Sequence, residues 1–324
     1  MFGRQPLNTP QNIGFLLTPQ FSMIAFTAAI EPLRIANRLA RQKLFEWQLF
    51  TTDGLPVKAS NYVEFNPEGK LDEKSKFDAL FVCSGVRAYD HLSKSTSNVL
   101  RGLARRGVPL GSICTGSVTL AEAGLLDGYK CTIHWENIES LAERYPKLNI
   151  SSSLFEVDRN RYTCSGGLAA ADMMLHSVRL DYGRELAMQV ADQLLYSAGR
   201  EPDDLQRMEI ARRTGAKHPK LLAAIGYMEA HLETPIPISQ LASNIEMSSR
   251  QLERLFKAEL SVAPARYYLN LRLDRARKFI RQTSLNIQEI AVATGFGSAS
   301  YFSKSYKSRF MHTPLEERQR LRVS

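Results

Sequence analysis

The hydrophobic positions of the chain change their spacing after residue 197. Before that point, short continuous apolar runs such as 13–17 and 77–83 alternate with stretches in which apolar residues recur every three or four positions. Continuous runs are typical of strands buried on both faces, and the recurring positions are typical of amphipathic helices. The alternation predicts an α/β domain built on a mostly parallel sheet with helices on both faces.

The predicted elements place one short turn at the edge of that sheet. The pattern indicates strands at 13–17, 47–51, 77–83, 109–113 and 131–134, and helices at 26–38, 97–106, 117–123 and 182–196. Ligands of such sheets bind at the carboxyl ends of the strands. The turn Cys114-Thr115-Gly116, which joins a strand to a helix, is therefore the first candidate for a site.

After residue 220 the apolar positions follow a helical period, and one pattern occurs twice. The pattern of 238–264 returns at 287–314, with an offset of 49 in the first helix of each copy and of 50 from the second helix onward. The matching residues are Ile238, Leu241, Ala242, Leu252, Phe256, Lys257 and Pro264 in the first copy and Ile287, Ile290, Ala291, Phe302, Tyr306, Lys307 and Pro314 in the second. Each copy predicts a helix-turn-helix unit, and the second has one extra turn residue. We call them the first and second reader.

The second helix of each reader has an outer face suited to the major groove of DNA. In the second reader Phe302, Tyr306 and Phe310 recur every four positions and face the core, which leaves small polar and basic residues outside. Hydroxyls and amines on such a helix reach base edges and phosphates. The residues that we expect to contact bases are Ser249, Arg250, Gln251 and Arg254 in the first reader and Ser298, Ser300 and Lys304 in the second. The residues that we expect to bind phosphate are Lys257 and Lys307.

The tandem readers resemble the DNA-binding domain of the AraC/XylS family of transcription regulators, in which two such units are joined by one long helix. The carrying pattern is I..IA...GF.S.SYFS..YK......TP, and the resemblance covers residues 220–318. The joining helix is expected at 264–282. Its apolar face would consist of Leu269, Leu273, Ala276 and Ile280. Met311 stands where the family usually has a turn glycine.

Charge separates the two parts of the chain more clearly than length does. The 324 residues carry a formal net charge of +9. Residues 200–324 contain 21 Lys and Arg against 13 Asp and Glu, whereas residues 1–199 contain 21 against 20. A basic helical part is what the release of counterions from DNA phosphates requires. A well-solvated helix would show the same excess, but the tandem repeat favours DNA.

The cysteines and histidines do not form metal-binding patterns. The four cysteines lie apart without a CxxC pair, and the six histidines lack metal-ligand spacing. We therefore expect free thiols, no metal and no cofactor. Residues 1–11 are polar and contain no signal-peptide core, and no apolar run approaches the ~20 residues of a membrane span. These features indicate a cytoplasmic protein without a membrane partner.

The stretch ICTGSVTLAEAGLLDGYKCTIHWE carries the candidate chemistry of the first part. A cysteine on a tight strand-to-helix turn is held at the sheet edge, where amides of the next helix can stabilise a thiolate or an oxyanion. The stretch is similar to the elbow of the PfpI-like peptidase and type 1 glutamine amidotransferase superfamily, which implies a flavodoxin-like fold. The similarity extends from residue 13 to about 197 and includes RYTCSGG at 161–167. It places Cys114 at the nucleophile position and His134 near the histidine partner.

Two departures from that superfamily weigh against catalysis. Its enzymes commonly have histidine after the nucleophile, where this chain has Thr115, and several have a carboxylate after the first strand, where this chain has 21–23 (FSM). A Cys–His pair without an orienting acid is a weak catalyst. We therefore favour a ligand pocket containing Cys114 and Thr115 over a working nucleophile. His134 either faces this pocket or is a structural histidine with satisfied hydrogen bonds. Simple packing of Cys114 is the remaining alternative.

Two further residues of the expected pocket have structural alternatives. Trp135 either belongs to the core or forms one wall of a cage for a cationic ligand. Glu31, in AIEPLRIAN, either complements a cationic effector or pairs with Arg34 on the same helix, and the pairing is favoured.

The combination of the two parts resembles a recognised subgroup of bacterial regulators, in which an amidase-like sensor precedes an AraC-type reader. The stretch AIEPLRIANRL also resembles members of that subgroup. The resemblance implies a regulator, usually an activator, of the catabolism of amino acids or of quaternary amines such as betaine or carnitine. We expect a ligand-sensing domain at 1–197, a linker at 198–219 and a DNA-binding domain at 220–324.

These observations predict a homodimeric transcription factor that binds double-stranded promoter DNA and a small nitrogenous effector and contacts RNA polymerase. One alternative is a thiol hydrolase or amidotransferase that uses Cys114 and is tethered to a DNA-binding domain. Another is a nucleoid-type binder without an effector, against which the different outer faces of the two readers argue.

Overall fold

The protein divides into two compact units. The structure is a computed structural model that describes residues 9–196, 200, 202, 204, 206 and 210–323. The units are Met1–Gln206 and Arg207–Ser324. Residues 1–8, residue 197 and part of the expected linker (198, 199, 201, 203, 205 and 207–209) lie outside the described residues. The boundaries at 197 and 219 therefore stay predictions.

The first unit is built on a mostly parallel sheet, as predicted. Its strands are β1 (Gln11–Leu17), β2 (Phe45–Thr51), β3 (Val57–Lys58), β4 (Glu64–Phe65), β5 (Gly69–Lys70), β6 (Ala79–Ser84), β7 (Leu110–Cys114), β8 (Lys130–Cys131), β9 (Asn149–Ile150), β10 (Phe155–Asp158) and β11 (Arg161–Cys164). In the described residues the main sheet has the order β10-β11-β7-β6-β1-β2-β5, and the pair β10–β11 is antiparallel while the others are parallel. Two small sheets, β3–β4 and β8–β9, lie beside it.

Helices cover both faces of the main sheet. They are α1 (Met23–Ala40), α2 (Lys94–Arg105), α3 (Ser117–Glu122), α4 (Ile138–Arg144), α5 (Ala169–Tyr182) and α6 (Arg184–Gln193), with a 3-10 turn at Ala88–His91. Phe15 of β1 belongs to the apolar cluster shared with α1, α5 and α6, whereas Leu16 belongs to the cluster shared with α2, α3 and α4. Successive side chains of a strand point to opposite faces, so one strand supplies both cores.

The predicted strand at 131–134 is wrong. Strand β8 ends at Cys131, and the next three residues have no strand pairing. The N–H of Thr132 donates to Oγ1 of Thr163 (2.9 Å), and its carbonyl accepts from Oγ of Ser117 (2.6 Å). Side-chain hydroxyls therefore replace the backbone partners of a strand here, and the short apolar run does not reveal such partners.

The second unit consists of helices among its described residues. They are α7 (Ile210–Thr214), α8 (Pro219–Ala230), α9 (Ile238–Asn244), α10 (Ser249–Leu260), α11 (Pro264–Gln282), α12 (Ile287–Ala293), α13 (Ala299–Phe310) and α14 (Pro314–Val323). Helices α9 and α10 form the first reader, α12 and α13 form the second, and α11 joins them with the predicted bounds. Helix α7, inside the expected linker, packs on α8 through a two-bond ion pair of Arg213 with Glu229 (3.0 Å each).

The two readers share their turn geometry despite the extra residue in the second. Gly295, after α12, has φ of +73°, and Glu246 has φ of +55° at the matching place after α9. A β-carbon on Gly295 would lie 2.8 Å from the carbonyl oxygens of Leu232 and Glu233 and 2.6 Å from Cδ of Pro235. The second reader's turn therefore packs directly against the segment that leads into the first reader.

Matching residues also begin and end the second helix of each reader. Oγ of Ser248 accepts from the N–H of Gln251, and Oγ of Ser298 accepts from the N–H of Tyr301, both at 3.2 Å. Such caps satisfy donors that a helix start leaves open. Both helices end on a left-handed residue, Ser261 (φ +55°) and Met311 (φ +65°). The turn at Met311 thus forms without the usual glycine. Among the described helices none is long and apolar enough to cross a membrane.

Candidate functional site

Cys114 lies on a turn whose backbone is unusual for a residue with a side chain. It ends β7 with φ of +60° and leads into α3. A β-carbon on Gly116 would lie 2.1 Å from the carbonyl oxygen of Val82, and one on Gly166 would lie 2.6 Å from Cβ of Cys114. Only glycine fits these approaches, and a strained backbone persists where its surroundings fix it. The predicted sharp strand-to-helix turn is confirmed.

Two hydroxyl groups hold this turn in place. Thr115 is buried, and its Oγ1 donates to the carbonyl oxygen of Gly85 (2.7 Å), just beyond β6. Ser117 Oγ lies 2.7 Å from Oγ of Ser112 and donates to the carbonyl of Thr132. The residue that stands in place of the superfamily's histidine therefore connects the turn to the neighbouring strand.

His134 and Trp135 lie next to the turn. The N–H of His134 donates to the carbonyl of Cys114 (3.4 Å), and its imidazole is 31% exposed. Its Nδ1 accepts from the N–H of Glu136 (3.4 Å) and lies 4.0 Å from that carboxylate. The ring centroids of His134 and Trp135 are 5.7 Å apart, and Trp135 is half-buried rather than a core residue. We call Cys114, Thr115, His134, Trp135 and Glu136 the Cys114 site.

The thiol of Cys114 is neutral at physiological pH. Burial, the nearby Cys164 thiol and the Glu136 carboxylate raise its pKa to about 12, against the opposing effect of the Thr115 N–H. Cys83 and Cys164, at the ends of the two strands beside β7, are buried as well, and burial raises the pKa of both thiols. A thiolate is the form that attacks a substrate, so this environment does not activate Cys114.

Glu31 forms an ion pair with Arg34. It lies on α1 and accepts two hydrogen bonds from Arg34 (2.6 and 2.8 Å), in the pairing that the helical spacing favoured. Both side chains are largely exposed. Among the described residues Glu31 bonds to Arg34, whereas the charge of Glu136 contributes to the raised pKa of the Cys114 thiol.

The expected DNA-contacting residues of the first reader are all exposed on α10. These are Ser249, Arg250, Gln251, Arg254 and Lys257. The apolar residues Leu252 and Phe256 are fully buried, and Arg250, Arg254 and Lys257 lie on the side of the helix away from them. Gln251 has a second role, because its Oε1 accepts from the N–H of Ser248 (2.8 Å) and completes a capping box. This bond fixes the orientation of the amide and leaves its nitrogen as a donor.

The second reader presents the corresponding face on α13. Ser298, Ser300, Lys304 and Lys307 are exposed, and Phe302 and Tyr306 are buried. Tyr301 occupies the position that Gln251 has in the first reader and is 54% exposed. It therefore belongs to the outer face and not to the core.

Two groups on other helices brace the second reader. Arg272 of α11 donates to the carbonyls of Thr294 (2.9 Å) and Gly295 (2.5 Å) in its turn. Glu317 of α14 accepts from Tyr306, from Arg277 (2.9 Å), from Arg281 (2.6 Å) and from His312 (2.8 Å). Burial favours the neutral carboxyl, but these hydrogen bonds outweigh it and hold the pKa of Glu317 at about 2.

Comparison with known proteins assigns both units. Residues 12–180 match the model of the DJ-1/PfpI family, and residues 241–320 match a helix-turn-helix domain model. The chain is 43% identical over 318 residues to the HTH-type transcriptional regulator GbdR of Pseudomonas aeruginosa, covering 98% of this chain and 87% of that protein. It is 44% identical to the regulator CdhR of the same species, covering 95% and 91%.

The chain belongs to the AraC-type transcriptional regulators with an amino-terminal DJ-1/PfpI domain. A crystal structure of an AraC family transcriptional regulator from Pseudomonas putida matches the first unit of this regulator with 34% identity and a TM-score of 0.53, covering 57% of this chain and all of that one. The regulator therefore binds DNA, and it is not an enzyme of the superfamily that its first domain resembles. Within the described residues, no group of three or more His, Cys, Asp and Glu side chains is placed to hold a metal ion.

Sequence reasoning missed several residues of the regulator's sites. Glu136 adjoins the predicted pair His134-Trp135, and a carboxylate beside a tryptophan was a usable signal. Gly166 and Cys164 approach Cys114 only through strand pairing, which one sequence does not show. Tyr301 was not among the expected contacts, although its offset from Phe302 by one position places it about 100° around α13, away from the buried face.

Proposed function

We propose that the protein is a sequence-specific transcription factor, acting as an activator, whose first unit binds a small nitrogenous metabolite at the Cys114 site. The observation that carries the proposal is the buried neutral thiol of Cys114, which sits on the turn of a hydrolase-like elbow but lacks the thiolate of a nucleophile. The strained turn at Cys114 can hold side chains in a fixed geometry for binding a ligand even when the cysteine does not act as a nucleophile. The cytoplasmic location remains part of this proposal.

The chemistry of the site supports a cationic or zwitterionic ligand. Trp135 is half-buried beside His134, and the Glu136 carboxylate is 47% exposed. An aromatic face together with a carboxylate attracts ammonium groups, including quaternary ones, by cation–π and charge attraction. Amino acids and quaternary amines such as betaine or carnitine carry this group. Glu31, paired with Arg34, is left with a minor role in this proposal.

Regulation requires the effector to distinguish two states of the protein. A ligand that binds the DNA-competent state more tightly shifts the population towards it, whereas equal affinity shifts nothing. We propose that the protein acts as a homodimer and that its DNA-bound form contacts RNA polymerase. Helices α10 and α13 would each enter a major groove, in grooves about one helical turn, ~34 Å, apart.

A ligand panel tests the effector class directly. The full chain is heated with amino acids, quaternary amines or polyamines, because a ligand that binds only the folded state raises the melting temperature by mass action. At a hundred times its Kd a ligand adds about 2.7 kcal/mol to the free energy of unfolding. An amine hit supports the proposed class, and silence across the panel would contradict it while leaving the DNA-binding function untouched.

The two tryptophans of the chain provide a matched control for the site. Trp47 lies on β2 and Trp135 lies in the Cys114 site. Trp135→Leu is expected to abolish the ligand-induced rise in melting temperature. Trp47→Leu should lower the melting temperature of the free protein but keep the rise on adding ligand. A shift that survives Trp135→Leu would place the ligand elsewhere. The Trp47→Phe variant leaves Trp135 as the only tryptophan, whose emission, excited selectively over that of the tyrosines, reports binding at the site.

A further inference from the structure

The end of the first unit is bonded to the segment that precedes His134 of the Cys114 site. After α6, the described residues Arg200, Pro202 and Gln206 are each bonded to the sheet domain. Gln206 is the last residue of the first unit and Arg207 is the first residue of the second. A residue at this place is bonded to the sensor domain and covalently next to the DNA-binding unit.

Two anchors hold the segment upstream of Gln206. Nη2 of Arg200 donates to Oδ2 of Asp172 (2.6 Å), a carboxylate buried in α5, and Nε of Arg200 donates to the hydroxyl of Tyr196 (2.7 Å). Further along, the carbonyl of Pro202 accepts from the N–H of Leu154 (3.0 Å). A charged pair with a buried carboxylate is a strong anchor, so Arg200 is held firmly to the first unit.

The side chain of Gln206 joins two separate segments of the domain. Its Nε2 lies 2.8 Å from Oγ1 of Thr132, 3.0 Å from the carbonyl oxygen of Ile133 and 2.8 Å from that of Ser153, so its two N–H groups are shared among three acceptors. Two of these partners are carbonyls and only accept, so the amide nitrogen must face them. Oε1 is buried, and no described group donates to it.

Of these two segments, the one that contains Thr132 and Ile133 is also bonded to the Cys114 site. Ile133 precedes His134, whose N–H donates to the carbonyl of Cys114. Thr132 accepts at its carbonyl from Ser117, the first residue of the helix after the turn. A ligand that moves the backbone at His134 by an ångström would therefore stretch the bonds to Gln206, since hydrogen bonds weaken steeply with distance and angle.

We propose that Gln206 is a positioning residue that couples the Cys114 site to the DNA-binding unit. The amide of Gln206 ties Thr132, Ile133 and Ser153 to the chain that enters the second unit. Occupation of the site changes this contact and with it the freedom of the chain from Arg207 onward. The inference rests on the proposed ligand site. Coupling of this kind is reciprocal, so loss of the Gln206 contact also alters the site.

The first test measures the site when the contact is removed. In the full chain, Gln206→Ala is compared with Gln193→Ala, a change in an exposed glutamine that accepts from Arg38 at the end of α6. The readout is the rate at which iodoacetamide alkylates Cys114 at one fixed pH, followed by peptide mass. Gln206→Ala should raise the rate about five- to tenfold, as expected from losing bonds of ordinary strength, and Gln193→Ala should leave it unchanged.

The second test separates coupling from simple support. Hydrogen exchange at 210–217, the first described segment of the second unit, is followed in Gln206→Ala, in His134→Ala and in the double variant. If Gln206 carries the effect of the site, the two changes are not additive and His134→Ala has no further effect once Gln206 is lost. A purely structural clip would give additive effects and would overturn the proposal, as would unchanged alkylation and exchange.

A further variant keeps the test decisive if Gln206→Ala lowers the melting temperature. Gln206→Met retains the length of the side chain and removes both N–H donors, so packing is preserved while the bonds are lost. It should reproduce the alkylation and exchange changes of Gln206→Ala. Failure of these tests leaves the ligand panel and its Trp135 control unaffected, so the coupling inference and the proposed function are judged separately.

Discussion

The protonation state of Cys114 follows from where its side chain lies. Burial and neighbouring groups raise the pKa of the thiol to about 12, from an ordinary value of 9.0. At neutral pH the thiolate fraction is therefore about a thousandfold below that of an unperturbed thiol. The elbow has kept the shape of a nucleophile site and lost the charge that such a site requires.

The ultraviolet absorbance of the thiolate tests this state. The difference between the native chain and Cys114→Ser should show no rise between pH 7 and pH 9.5, because the raised pKa places the titration above this range. The other three cysteines are present in both proteins and cancel. A rise centred below pH 9 would contradict the assignment of a neutral pocket thiol.

Arg254 and Lys257 allow base reading to be separated from phosphate binding. Both are exposed on α10, one helical turn apart. Arg254→Ala should cost about 1–3 kcal/mol on a DNA site selected by the protein from a random library and much less on scrambled DNA. Lys257→Ala should weaken both DNAs alike and reduce the salt dependence of binding. Equal losses on both DNAs for Arg254→Ala, measured by anisotropy titration, would remove its role as a base reader.

At the scale of residues, local signals were predictable and long-range ones were not. The glycine-flanked turn identified Cys114 because the strand, the turn and the helix are consecutive in sequence. Gln206 lies 73 residues from Ile133, and nothing in either segment announces their hydrogen bond. Contacts of this kind depend on the path of the chain between them, which the pattern of apolar residues does not specify.

The carboxylate of Glu317 holds the last helices of the second unit together. It takes hydrogen bonds from α11, α13 and the loop before α14, and its pKa of about 2 lies below the ordinary 4.5. A lowered pKa contributes stability that is present above pH 4.5 and is lost as pH falls towards 2.

Glu317→Gln should therefore lower stability at neutral pH by about 2–3 kcal/mol, since the bonds to charged donors weaken and two half-exposed arginines remain hydrated. Thermal denaturation at pH 7 and pH 3 checks the sign. The difference in melting temperature between the native chain and Glu317→Gln should be smaller at pH 3 than at pH 7. An exposed carboxylate on α10 provides the control Glu253→Gln. A gap that does not depend on pH would contradict the role of the ionised carboxylate.

Met311 ends α13 in a conformation that favours glycine. It has φ of +65° and is 83% exposed, so its side chain makes little compensating contact. Met311→Gly should raise the free energy of unfolding by up to about 1 kcal/mol, because the left-handed residue loses its steric penalty. Met247→Gly is the control, since it places glycine at a half-buried residue of the first reader's turn without a positive φ. A lower melting temperature for Met311→Gly would show that the side chain has a role in the fold.

Regular elements were predictable where the chain marks both of their ends. Helix α11 was predicted with its observed bounds because Pro264 fits the first helical turn and an apolar face repeats along it. The strand expected at 131–134 failed because its apolar residues are buried by packing of an irregular segment. Burial produces the apolar pattern, and a strand is only one way of achieving burial.

At the scale of the whole molecule, the two units differ in what their sequence reveals. The α/β order and the tandem readers follow from patterns that repeat within tens of residues. The division between Gln206 and Arg207 does not, because the charged segment 201–220 contains residues bonded to the first unit and a helix of the second. From its composition alone, such a segment is predicted to be a linker.

The close contact at Gly295 has a consequence for the spacing of the two DNA sites that the protein can bind. With no side chain between them, the turn of the second reader and the segment before the first are in direct contact, and Arg272 fastens that turn to α11. These contacts hold the two recognition helices, α10 and α13, at a fixed spacing. One base pair inserted between their sites on a selected operator would rotate one site by about 34° and move it ~3.4 Å. We expect such an operator to lose most of its affinity in a mobility-shift titration, whereas changes of sequence between the sites should be tolerated. Equal affinity for the original and the lengthened operator would mean that the spacing between the two recognition helices can change.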